Sequence, residues 1–202
     1  MKAALASIVS LIFHPVLIPA AGLLFLFNSG TYLEFLSYQQ QRTIFIIFFI
    51  GTAILPLSLI PILLLKKMIA SVGMDTHSER VFPFMITAIF YGFTWYLLVR
   101  LNVPGLISVY ALTAAVSVLL VALVSLKWKI SLHMVSMGAL AGMLLAIAFR
   151  FNVNLQLYLV LAFMGGGIVG WSRLSLEAHT AAEIYLGYIT GFVVAFFFMF
   201  HF

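Results

Sequence analysis

An all-α, polytopic membrane helical bundle of six or seven transmembrane helices is the architecture expected of this chain. Of its 202 residues, 65% are hydrophobic and only 7% are charged, a balance far from that of a soluble domain. The apolar residues gather into seven runs near the ~20 residues a spanning helix needs. No Pro-, Gly- or Ser-rich linker and no low-complexity tract divides them, so residues 1–202 read as a single membrane-embedded domain.

The first run, Leu5 to Phe27, follows Lys2 and contains small residues at Ala20 to Gly22, as a signal peptide would. Its apolar stretch continues through Phe27, which makes it an anchor instead. The polar segment Asn28 to Arg42 precedes the second run, Thr43 to Leu65, and the segment Lys66 to Arg80 precedes the third, Val81 to Val99. Val103 to Leu126 and Ile130 to Phe149 follow, then a short sixth run, Leu155 to Gly170, and a last one, Ala181 to Phe202.

The net charge of +5 comes from ten Lys and Arg dispersed among the helix ends, with no basic run or stripe, which argues against a nucleic-acid partner. The absence of Cys removes disulfides and thiolate metal sites, and no carboxylate pair or His-rich spacing suits a metal.

Consecutive spanning helices alternate in direction, so the segments before helices three, five and seven share the N-terminal face. Nearly all of the ionisable chemistry lies there: Arg80 in "MDTHSERVFP", Lys129, Ser131 and His133 in "KWKISLH", and Ser172, Arg173, His179 and Glu183 in "SRLSLEAHTAAEIYLG". Seven Lys and Arg lie on this face against three on the other. If Arg80, Lys129 and Arg173 belong to a site, four remain against three, and the positive-inside tendency then decides nothing.

His179 and Glu183 are four apart at the start of the last helix, where the carboxylate can orient the imidazole. Arg173 and Ser172, in the preceding connection, can hold an oxyanion. Lys129 and His133 are likewise four apart near a helix N-terminus that favours an anion. Taken singly, such groups usually snorkel to headgroups, pack between helices or stabilise a helix; their joint placement on one face is what points to a phosphate site. The remaining groups take ordinary readings: His14 as packed or backbone-bonded, His77 and Asp75 as solvated loop residues, His201 as terminal, and Gly165 to Gly167 as a close-packing surface that could also let a substrate approach.

The spacing resembles the type 2 phosphatidic acid phosphatase superfamily, the membrane lipid phosphatases related to vanadium haloperoxidases. "SRLSLEAH", three residues and Glu183 are similar to its third signature, Ser-Arg, five residues, His, three residues, Asp. "KISLH" resembles the second, Pro-Ser-Gly-His, and Arg80 with Pro83 the end of the first, Lys, six residues, Arg-Pro. The resemblance covers about half the chain, from Arg80 onward.

It implies that His179 attacks phosphorus to form a phosphohistidine, that Glu183 orients it, and that His133 protonates the leaving oxygen. Arg80, Ser131, Ser172 and Arg173 would bind the phosphate. The chain departs from the pattern at Glu183 for Asp, at Leu132 for Gly, at Ile130 for Pro and at Gly73 for Lys, a charge that Lys129 is expected to replace.

The expected function is therefore a membrane-embedded, metal-independent hydrolase of a lipid phosphate or diphosphate, needing no cofactor and no nucleic acid. It would sit in a bacterial inner membrane with its site facing away from the cytoplasm. A non-catalytic lipid-headgroup-binding protein or transporter using the same cationic pocket is the alternative, and a purely structural helix bundle a third.

Overall fold

A computed structural model describes residues 2–71, 73–74 and 76–202, which include no strand. Nine α-helices follow in order: α1 (Lys2–Ile12), α2 (Ile18–Phe27), α3 (Tyr38–Phe49), α4 (Leu55–Leu65), α5 (His77–Arg100), α6 (Gly105–Val124), α7 (Leu132–Phe151), α8 (Gln156–Ser175) and α9 (Ala181–His201). A wide π turn, Ile50–Ile54, joins α3 and α4 into one helix, Tyr38–Leu65. That helix and α5 to α9 are each long and apolar enough to cross a membrane. The protein is an integral membrane helical bundle.

The first apolar run is not the single helix expected. Pro15 has no N–H to continue the ladder, and the chain turns over residues 13–17 before Pro19 opens α2. The two halves still reach from one end of the bundle to the other. Ser10 touches Ser172 at one end, and Tyr32, just past α2, accepts a hydrogen bond from the Leu106 amide at the other.

The remaining boundaries follow local chemistry. A Ser37–Gln40 capping box starts α3 earlier than its apolar run suggests. Inside the π-turned helix, Pro56 leaves the Thr52 carbonyl without its usual donor, and the Tyr91 hydroxyl of α5 donates to it at 2.9 Å. The sixth run is longer than expected, because α8 continues through Ser172 and Arg173 to Ser175; these two residues lie on a helix and not in a connection.

α7 and α9 form the closest pair in the bundle. Gly138 and Gly142 on α7 and Gly187 and Gly191 on α9 are each four apart; a Cβ on Gly138, Gly142 or Gly191 would strike backbone of the facing helix, and one on Gly187 the Ser131 carbonyl just before α7. This small-residue seam lets the two backbones approach without a gap. It sets the start of α7, with His133, beside the start of α9, with Glu183.

Candidate functional site

The starts of α5 and α9 are both hydrogen-bonded to the connection that precedes α7. His77 Nδ1 donates to the Ser125 carbonyl at 3.1 Å, Arg80 Nη1 to the Ile130 carbonyl at 3.4 Å, and the Ser131 amide to the Glu183 carbonyl at 3.4 Å. His77, expected as a solvated loop residue, is exposed but opens α5 and joins it to the connection before α7; Asp75 lies outside the described residues.

Local turn chemistry presents His179. Past α8 the chain enters the left-handed region at Glu177 (φ 51°), with the Ala178 amide donating to the Arg173 carbonyl and the Glu177 amide to that of Leu174, at 3.2 and 2.9 Å. This Schellman-type end reverses the chain within a few residues. Thr180 then caps α9 in a reciprocal box with Glu183. His179 falls between the two ends and is only 8% exposed.

Its Nδ1 donates to Glu183 Oε2 at 2.8 Å, and the same oxygen accepts the Thr180 amide at 3.2 Å. A Glu at this position has a physical reason: its side chain is long enough to reach back and cap its own helix. Burial pushes the His179 imidazole below its ordinary pKa, outweighing the upward pull of Glu183, and Arg80 and Arg173 push in the same direction as burial. Burial thus favours the neutral ring, in which Nδ1–H is held by Glu183 and Nε2 is the basic nitrogen.

A cavity of about 450 Å³ is lined by His179, Arg80, Arg173 and His133. It continues between the helices past Ile60 and Leu63 of α4, Phe84 and Tyr91 of α5, Val118 of α6 and Leu140 of α7. From Arg80 to Tyr91 is eleven helical positions, roughly 16 Å at 1.5 Å per residue. Arg80, 6% exposed, is held from three sides: Nε donates to the Met74 carbonyl at 2.8 Å, Nη1 to Ile130, and Nη2 to the Gly73 carbonyl at 3.4 Å. Arg173 Nη1 donates to Ser10 Oγ at 3.1 Å, while its buried Nε has no partner among the described residues. His133 Nε2 donates to the Ser10 carbonyl at 3.2 Å.

The other candidates stand off the cavity. Glu183 lies behind His179. Ser172 is fully buried and gives its proton to the Ala6 carbonyl at 2.7 Å. Ser131, the residue before α7, is also fully buried, its hydroxyl unpartnered among the described residues. Lys129 lines a separate, more open depression with Glu177, Thr180 and Glu183, on the outer side of His179. Among the described residues no three His, Asp or Glu lie close enough together to hold a metal ion.

Two cavity residues escaped the sequence reading. Ser10 sits in an unbroken apolar run with nothing to mark it. His14 gave a signal, an imidazole beside a proline inside the membrane. Its Nδ1 accepts the Val16 amide, as a backbone-bonded His would, yet its ring also stands edge-on to His133 with centroids 5.7 Å apart. Of the three consecutive glycines, Gly165 and Gly166 pack against Met137 and Tyr188, and Gly167 faces open space.

Compared with protein-family models, curated proteins and solved structures, the chain matches none.

Proposed function

We propose that the protein is a metal-independent lipid phosphatase that cleaves a lipid phosphate or diphosphate through a phosphohistidine. The observation that carries this reading is His179, held by Glu183, at a cavity that two guanidinium groups share with a long apolar extension. Cations at one end and apolar walls beyond them suit an amphiphile with an anionic head. Arg173 Nε, unpartnered among the described residues, is a buried charged donor that a phosphate oxygen would satisfy.

In this mechanism the lone pair of His179 Nε2 attacks phosphorus while the bond to the lipid oxygen breaks. Glu183 stabilises the positive charge that develops on the ring through Nδ1–H. His133, in its protonated form, gives a proton to the departing oxygen. Water then attacks phosphorus, His133 takes its proton, the P–N bond breaks, and inorganic phosphate leaves with His179 restored. Arg80 and Arg173 hold the non-bridging oxygens, whose charge is greatest in the transition state. The same reading assigns the protein to a bacterial inner membrane.

The break between α1 and α2 favours a second reading, a headgroup-binding protein or transporter, because discontinuous helices are a device of transporter sites. Purified protein in detergent, given a panel of lipid phosphates, separates the two. Phosphate release that His179→Ala abolishes, with the variant still folded, is the expected result. Saturable binding with no release would leave the transporter.

A further inference from the structure

We propose that Ser10 is a positioning residue of the site, and that the break after α1 exists to free it. The inference rests on reading Arg173 as a phosphate-binding group and His133 as the proton donor. It concerns a residue outside every motif in the sequence.

The directions of the hydrogen bonds follow from proton counting. Ser172 has one hydroxyl proton and gives it to the Ala6 carbonyl. In its 2.8 Å contact with Ser10, Ser172 is therefore the acceptor and Ser10 the donor. That turns the lone pairs of Ser10 Oγ to Arg173 Nη1, at 3.1 Å. One relay thus runs from the Arg173 guanidinium through Ser10 and Ser172 to the backbone of α1.

A serine in an apolar helix ordinarily bonds back to its own helix, as Ser7 does to the Ala3 carbonyl at 3.0 Å. The Ser10 hydroxyl has left that arrangement, and its carbonyl has too. The amide that would complete a helical bond to the Ser10 carbonyl is that of His14, which donates instead to Leu11 at 3.3 Å as the chain turns toward Pro15. The freed carbonyl accepts His133 Nε2–H. Ser10, only 9% exposed, therefore fixes the guanidinium of α8 with its side chain and the imidazole of α7 with its backbone. Neither group has to be ordered when the phosphate arrives.

The test measures turnover of hexadecyl phosphate and equilibrium binding of hexadecylphosphonate, which cannot be cleaved, on the whole protein in detergent. Hydrogen bonds to charged groups are the strong ones, so Ser10→Ala should raise both KM and the phosphonate Kd about tenfold, with a smaller change in kcat. Ser10→Thr, which keeps the hydroxyl, should restore both. Wild-type binding by Ser10→Ala overturns the proposal, as does a Ser10→Thr variant as damaged as Ser10→Ala. If Ser10→Ala does not fold, Ser10→Cys, a poor acceptor for a guanidinium, replaces it under the same criterion. Wild-type protein that binds the phosphonate and loses it in Ser10→Ala, yet never releases phosphate, supports the role of Ser10 and overturns the phosphatase.

Discussion

Glu183 performs two tasks with one carboxylate: it completes the cap of α9 and it orients His179. Glu183→Gln separates them, since Gln also serves at the third position of a capping box but carries no charge. Stability in detergent should change little, whereas turnover should fall steeply as the cation forming on His179 loses its counter-charge. The pH profile gives a signed check. An unfolded His titrates near about 6.5, and burial holds folded His179 below that. The neutral ring's contribution to stability is therefore present above about pH 6.5 and is lost as pH falls through the folded value. The acid limb of kcat/KM should likewise lie below pH 6.5 and move lower still in Glu183→Gln, because Glu183 raises the His179 pKa; a limb unmoved by that substitution would remove the carboxylate from its role. His133 carries a separate expectation. As a proton donor it should matter for a basic leaving group, so His133→Ala should slow an alkyl phosphate by about 10²- to 10⁴-fold and a nitrophenyl phosphate far less. Equal losses on both would reduce His133 to a binding or packing group.

The elements that set the site are held by shape more than by charge. The contact between His179 and Glu183 is a hydrogen bond from a neutral ring, and the relation of α7 to α9 rests on four glycines. A side chain at Gly191 would collide with the Val135 carbonyl, and backbone cannot yield as a flexible side chain can. Gly191→Val should therefore cost about 1–3 kcal/mol or more and weaken turnover by moving the start of α9 away from α7. Gly167→Ala, where nothing lies within 4 Å, should be neutral or stabilising by up to ~1 kcal/mol from helix propensity. Thermal unfolding of both variants in detergent measures the contrast, and similar losses in the two would mean that the glycine seam does not decide the packing. The turn at Pro15 acts at the same scale: by ending α1 early it leaves a carbonyl and an imidazole facing the cavity that a continuous helix would have kept to itself.

For the molecule as a whole, the cavity has cationic side chains at one end of the bundle and apolar walls between the helices; under the proposed function a lipid tail would have protein on several sides while its phosphate met Arg80 and Arg173. Which side of the membrane this end faces is a property of the whole chain, and the reading above expects the side away from the cytoplasm. Because the chain has no Cys, single cysteines can report it without background. Lys127→Cys on the site face and Asn154→Cys on the opposite one are exposed positions. An impermeant thiol reagent on intact cells should label the first and spare the second; the reverse pattern would turn the site inward.

By itself the sequence determined the class of the molecule, because 65% apolar residues in runs of spanning length leave few arrangements that satisfy every backbone group in lipid. It also determined the His179–Glu183 pair, since four residues is one helical turn wherever the helix lies. Helix alternation was enough to assign the three polar segments to one face, where hydrogen bonds now join them. Only the tertiary structure decided which polar groups reach the cavity. Ser172, Ser131 and Lys129 have the expected residue types, but rotation about their helices and connections turns them elsewhere, while Ser10 and His14 arrive from a run that looked like plain anchor. The physical reason is that spacing along a chain fixes neighbours within one turn of helix. Which face of that helix meets another depends on packing, here on glycines that meet a helix distant in the chain and on a proline-induced break whose partners lie more than a hundred residues away.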